Sequence, residues 1–164
     1  MNAIVVVCSD WGIGYKGCLL VDNKVDMKHF VSLTTGGTVV MGRATFESFS
    51  HGALPHRRNI VISSDKSYVA PGAEVVHSIS ELLECIGDTA PDKVWLIGGG
   101  SLYKTLLPLC AKAYVTYAYT EKPADTWFPN LDDDIAWRLA ETSEPLTTPQ
   151  GITFEFRVYE NLEI

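Results

Sequence analysis

Apolar residues gather in short, unbroken, β-branched runs along the first two thirds of the chain. AIVVVC at 3–8, TVVM at 38–41, NIVI at 59–62, EVV at 74–76 and VWLI at 94–97 lack the polar alternation of a half-exposed strand. Such runs mark strands covered on both faces. Between them the period changes to that of a helix. Asp26, Phe30 and Leu33 fall at i, i+4 and i+7 across 26–34, with Met27 and Val31 beside them, which places them along one helix face. TFESF at 45–49 is a short second pattern. Ser78 opens S-I-S-E, the spacing of a capping box, ahead of ELLECIG. Ser101 opens SLYKTLLPLC, which keeps helical spacing until Pro108.

Strands alternating with helices predict a central, mainly parallel sheet flanked by helices, an α/β fold. The last third changes character. AYVTYAYT at 113–120 and ITFEFRVYE at 152–160 are long, aromatic and β-branched, with turn signals in Thr148-Pro149-Gln150-Gly151 between them. They predict an antiparallel C-terminal hairpin on one edge of that sheet. No repeat, linker or low-complexity segment interrupts the chain, so one domain over 1–164 is expected. One residue breaks the pattern: Asp26 opens a stripe whose other members are apolar, so a carboxylate points where a core should be.

Composition narrows the class without naming a function. Hydrophobic residues at 46% and charged residues at 20% fit an ordinary soluble globular protein. A net charge of −7 at pH 7 argues against nucleic acid, whose phosphates it would repel. Cys8, Cys18, Cys85 and Cys110 are scattered, with no C-x-x-C pair and no histidine at metal spacing, so neither a disulfide framework nor a metal site is expected. MNAIVVVCSD carries no basic segment before its short apolar run, and no run is long enough to span a bilayer. A reduced, cytoplasmic protein without a membrane partner follows as the expectation. His29, His51, His56 and His77 have no partner at motif spacing and read as surface or structural residues.

Three strand ends carry chemistry suited to phosphates. In open α/β sheets ligands bind beyond the carboxyl ends of the strands. VWLI runs into Gly98-Gly99-Gly100 and then into the helix at Ser101, where free N–H groups favour an anion. The sixth position is Tyr103, so the G-x-G-x-x-G dinucleotide fingerprint is absent. TVVM runs into Gly42-Arg43-Ala44-Thr45, with a cationic fork and a hydroxyl, and NIVI ends in Ser63-Ser64. Each taken singly is an ordinary turn or helix cap. Together they favour an extended phosphate-bearing cofactor, and an arginine among hydroxyls suits a 2′-phosphate such as that of NADP.

IGY at 13–15, VDMKHF at 25–30, VVMGRATFES at 39–48, LPHRRNIVIS at 54–63, VWLIGGGSLY at 94–103 and ADTWFP at 124–129 occur in that order. Taken together, almost end to end, they resemble the dihydrofolate reductase family. The resemblance implies NADPH-dependent reduction of 7,8-dihydrofolate to tetrahydrofolate. It makes Asp26 the single active-site carboxylate, accepting paired N–H donors from the pterin and promoting protonation of N5, directly or through water. It assigns Arg57 to the α-carboxylate of the substrate's glutamate and Thr116 to a hydroxyl that braces Asp26. Ile4, Val5, Phe30, Phe49 and Leu54 would pack against the substrate's rings, with Met27 and Val31 also lining the pocket. Val6, Ile13 and Gly14 would surround the nicotinamide, and Gly42, Arg43, Thr45, Ser63 and Ser64 the phosphates. Ile97, Gly98, Gly99, Gly100, Ser101, Leu102 and Tyr103 would form the turn beneath the pyrophosphate. Residues 9–23 correspond to a mobile loop, and a preference for NADPH over NADH is expected from Arg43 and Ser64.

The chain departs from the family's usual pattern in places. Leu20-Val21 stands where proline-tryptophan is usual, and Lys24 where a second proline is common. Ala44 replaces a polar residue after the arginine, and Ala124 replaces the glycine before Asp125, which puts the coupling of Asp125 to the 9–23 loop in question. His51-Gly52-Ala53 is one residue longer than the common form. A pyrimidine-type reductase of riboflavin synthesis shares the fold and cofactor, but Asp26 beside Phe30, with Arg57 after Leu54-Pro55, favours the folate reading. A non-catalytic ligand-binding module is the alternative from another class, and a monomer is expected in either case.

Overall fold

Strand β1 (Asn2–Cys8) shows why the apolar runs are continuous. Ala3, Val5 and Val7 join one buried cluster, Ile4 a second and Cys8 a third, so both sides of the strand are covered. The computed structural model describes all residues, 1–164. After β1 come β2 (Gly12–Tyr15), β3 (Cys18–Leu19), α1 (Lys24–Thr34), β4 (Thr38–Gly42), α2 (Arg43–Glu47), β5 (Arg58–Ile62) and β6 (Glu74–Val76). Then follow α3 (Ile79–Ile86), β7 (Val94–Gly98), α4 (Gly100–Leu106), β8 (Lys112–Ala118) and β9 (Thr126–Trp127). The chain closes with β10 (Trp137–Thr142), β11 (Leu146–Thr147) and β12 (Thr153–Asn161). No helix is long and apolar enough to cross a membrane.

The main sheet runs β10-β12-β8-β1-β7-β4-β5-β6, with β11 beside β12. β1 is parallel to β7 and β8, β4 to β7 and β5, and β5 to β6. Only β12 introduces antiparallel pairing, with β8, β10 and β11. The expected antiparallel C-terminal edge is therefore present, and it carries two strands more, β10 and β11, than the sequence pattern marked. β8 and β12 pair as expected, Phe156 opposite Thr116. They are joined through β9, β10 and β11 rather than by a tight turn, and β10 forms the outer edge.

Helices cover both faces. Leu82 of α3 and Leu106 of α4 share a buried cluster with Ala3, Val40 and Leu96, while Phe46 of α2 and Phe30 of α1 lie against Ile4, Met41 and Trp95 on the other side. Half of the capping box forms: Ser78 Oγ accepts from Glu81 N at 3.0 Å, while Glu81 Oε2 reaches one residue past the cap and accepts from His77 N at 2.7 Å. Helix α1 starts two residues before the apolar pattern does. Asn23 Oδ1 caps it, accepting from Val25 N at 3.1 Å and Asp26 N at 3.2 Å, which fixes the backbone at Asp26.

Candidate active site

A cavity of about 390 Å³ opens where β1, β7 and β4 end, between α1 on one side and the α2 and α4 starts on the other. Fourteen of the residues singled out from the sequence line it: Ile4, Val5, Val6, Ile13, Gly14, Asp26, Phe30, Phe49, Thr45, Ile97, Gly98, Gly99, Gly100 and Tyr103. Met27 lines it as well, but Val31 does not. Asp26 is the only group in this lining that is charged at neutral pH.

The Asp26 carboxylate is half-buried. Thr116, fully buried on β8, donates its hydroxyl to Asp26 Oδ1 at 2.5 Å. Burial pushes the carboxyl above its ordinary range, and the Thr116 bond pulls the other way without cancelling it. Thr116 thus stands behind the acid rather than in the cavity wall, and Oδ2 is left for a ligand.

Arg57 and Leu54 sit outside the lining but touch it through Phe30. The Arg57 guanidinium lies over the Phe30 ring at 5.9 Å, and Leu54 shares the cluster that holds Phe30 and Phe49. Nε donates to Pro55 O at 2.9 Å and Nη1 to Thr34 Oγ1 at 3.1 Å, with no carboxylate paired to it. The loop beneath is pinned by buried Asn59, whose side chain bonds Leu54 N, Leu54 O and Arg57 O at 2.9–3.0 Å. Asn59 was missed in the sequence. A polar residue opening the apolar run NIVI was its only signal.

The roof is made by residues 9–23, the segment expected to be a mobile loop. Here β2 pairs with β3 and β9 into a small three-stranded sheet. Asp125 Oδ2 accepts from Lys16 N at 2.9 Å, and Asp125 N donates to Gly14 O at 2.9 Å. The coupling that Ala124 put in question is therefore made. Gly12 explains the tolerance: an added Cβ there would lie 3.0 Å from Ala124 Cβ. Gly17, Cys18, Leu19 and Thr126 line the cavity from this roof, and Ala44 and Ser48 from α2. Thr126 was within the motif ADTWFP. Ala44 and Ser48 were within VVMGRATFES, and Gly17, Cys18 and Leu19 carried no signal beyond lying in the 9–23 segment. Val21 is buried against Cys8, Ala118 and Phe154, so the segment lacking the usual tryptophan is closed by apolar packing.

Toward the cofactor end the expectations divide. The Gly98–Gly99 peptide is cis, and Gly98 has φ +139, a conformation that side-chain-bearing residues rarely adopt. A Cβ on Gly100 would fall 2.4 Å from Thr126 Cγ2, whereas one on Gly99 would meet only Thr45 Oγ1, at 3.4 Å. Tyr103, buried, donates its hydroxyl to Ile4 O at 2.6 Å, tying α4 to β1 across the cavity. Gly42, Arg43, Ser63, Ser64, Ser101 and Leu102 lie outside the lining. Leu102 turns into the core against the α4 cluster, because the amphipathic face of α4 claims it. Ser63 is buried and bonded to Asp65 N, whereas Ser64 and Ser101 are exposed. Arg43 is not free: it is paired with Glu47 and Asp65.

A crevice across the ends of parallel strands, holding one braced acid in apolar surroundings, defines an α/β enzyme acting on a small ligand. A family model described as dihydrofolate reductase matches residues 1–161, and the chain belongs to that family. It is 34% identical over 177 residues to the dihydrofolate reductase of Schistosoma mansoni, covering 98% of this chain and 95% of that protein. It is 39% identical over 132 residues to the type 3 enzyme of Salmonella typhimurium, covering 80% and 79%. A solved structure of dihydrofolate reductase from Enterococcus faecalis, complexed with NADP(H) and RAB-propyl, superposes with a TM-score of 0.87 at 31% identity, covering 98% and 95%.

Proposed function

We propose that this protein reduces 7,8-dihydrofolate to tetrahydrofolate with NADPH, and that Asp26 is the group around which the reaction is organised. The observation that carries this reading is the acid itself: one carboxylate, half-buried, raised in pKa and braced by Thr116, in a cavity otherwise free of charge. With Oδ1 held by Thr116, Oδ2 accepts from the N–H donors on the pterin's amidine-like edge. A carboxyl with a raised pKa keeps part of its proton nearer neutrality, which suits a site that must supply a proton to N5, directly or through water. Ile4, Val5, Phe30 and Phe49 exclude bulk water around that proton. Arg57, held through Nε and Nη1, presents its remaining donors to the glutamate α-carboxylate in a fork that lysine lacks.

The cofactor fits what the turn offers. Gly98 to Gly100 leave a backbone surface that no side chain obstructs, beside the Thr45 hydroxyl. Ile13, Gly14 and Ile97 give an apolar slot for a planar ring next to the pterin floor. When bound there, NADPH supplies the hydride that C6 accepts. The whole chain, 1–164, acts as one domain, a monomer in the cytoplasm with no nucleic-acid partner.

A single assay tests the reading. Purified protein with NADPH and dihydrofolate should lose the reduced-nicotinamide absorbance at a rate that depends on both. Tight binding of either ligand without turnover would make the protein a binding module and refute the reading.

A further inference from the structure

We propose that Asp65 and Glu47 set the cofactor preference of this protein by opposing a 2′-phosphate at Arg43, so that NADH competes with NADPH far better than an unopposed arginine would allow. This rests on the cofactor reading above. Arg43 follows the end of β4, and Ser63 and Ser64 follow the end of the neighbouring strand β5, so one surface carries all three. On that surface Arg43 Nε bonds Glu47 Oε1 at 2.8 Å, and Nη1 lies 3.4 Å from Asp65 Oδ2. The guanidinium also sits over the Tyr68 ring at 4.2 Å. All three charged side chains are 45–50% exposed, so a ligand can reach them.

Two carboxylates against one guanidinium leave these three bonded side chains net negative. Two further basic side chains belong to this stretch: exposed Lys66, next to Asp65 and outside these ion pairs, and His77, which spends Nδ1 on Ser63 O at 2.8 Å. A phosphate monoester brings roughly one and a half to two further negative charges at neutral pH, and it meets both acids along with the arginine. A ribose 2′-hydroxyl brings no charge and can donate to a carboxylate, the pairing by which dinucleotide sites choose the unphosphorylated cofactor. The same surface therefore holds the arginine that suits one cofactor and acids that suit the other. Arg43 still has Nη2 free for a phosphate, so NADPH remains a cofactor.

Asp65 also has a local task, because Oδ1 accepts from Ser67 N at 2.9 Å and Ser67 Oγ at 2.6 Å. Asparagine keeps that acceptor and removes only the charge, so Asp65→Asn separates the turn from the specificity role. Dissociation constants are measured for NADPH, NADH, 2′,5′-ADP and 5′-AMP with the parent, Asp65→Asn and Glu47→Gln, at low and moderate salt, alongside thermal midpoints. Asp65→Asn should tighten the two 2′-phosphorylated ligands by about three- to tenfold, as one charge several ångströms away in screened water would. The other two should change by less than about twofold, and the gain should shrink with salt. An NADPH-to-NADH ratio equal to the parent's, in a variant with the parent's midpoint, overturns the inference alone. Binding of neither cofactor by the parent overturns the cofactor reading and this inference with it.

Discussion

Replacing Asp26 with asparagine removes one charge and almost no volume, and the structure says what each atom loses. Oδ1 accepts the Thr116 hydroxyl and can go on doing so as an amide oxygen. The other position becomes an NH2 group, turned toward the N–H donors that Oδ2 would have accepted. One hydrogen bond to a charged group is lost, worth about 1.5–3 kcal/mol, or roughly a ten- to hundredfold weaker hold on dihydrofolate. The proton route is lost as well, which lowers kcat at neutral pH by roughly a hundred- to ten-thousandfold. Much of that should return in acid, where solvent protonates N5 unaided. Stability should move the other way. Burial raises the folded pKa, so the folded chain binds this proton more tightly than the unfolded chain. Stability then falls as pH rises from the ordinary carboxylate value through the raised one, and the ionised acid is a burden at neutral pH. Asp26→Asn should therefore melt at or above the parent's midpoint at neutral pH, with the gap closing below the ordinary carboxylate range. Steady-state kinetics across pH and thermal unfolding at two pH values measure both effects. Full activity at neutral pH, or a fall in stability matching the fall in rate, would refute the reasoning.

Arg57→Lys should raise KM for dihydrofolate by roughly ten- to a hundredfold and leave kcat nearly unchanged, because the clamp holds a remote part of the substrate in ground and transition states alike. A dihydropterin without the glutamate tail should not register the change, and equal damage to it would remove Arg57 from that role. Val21→Trp forces an indole into the space shared by Cys8, Ala118 and Phe154. It should cost about 1–3 kcal/mol, and each kcal/mol lowers the midpoint of a chain this size by about 2–4 °C. A variant as stable as the parent and faster at neutral pH would show that the segment never repacked around valine.

The sequence pattern exposed what is locally encoded. β1, β4, β5 and β7 were legible because each is covered on both faces, leaving no polar alternation to confuse the period. β10 was not, because only Trp137 of its six residues is buried, and an outer edge strand needs no apolar rhythm. β2, β3 and β9 are two to four residues long, and β9 exists only through pairing with β2, more than a hundred residues away in sequence. Asp26 could be singled out because an acid interrupts an apolar stripe. Thr116 could not be reached that way, since its contact with Asp26 bridges 90 positions and depends on which strand falls beside β1. The pairing of Arg43 with Asp65 was equally hidden: the rest of α2, a loop and β5 separate them in sequence, and only the parallel register of β4 and β5 brings them together.

The hydroxyl behind Asp26 has a consequence for how the enzyme comes into being. Thr116 lies on β8, held by β1 on one side and on the other by β12, where Phe156 stands opposite it. During synthesis α1 and its acid leave the ribosome early, and β12 leaves after every other strand. Until then β8 is held by β1 alone and has an open edge of unpaired backbone groups, so the wall against which the acid rests is braced on one side only. A growing chain therefore carries its carboxylate, its glycine turn and its arginine well before it carries a site. Cofactor and substrate stabilise a protein by binding its native state, so neither can guide this chain while it is being made. They can act only on the finished molecule.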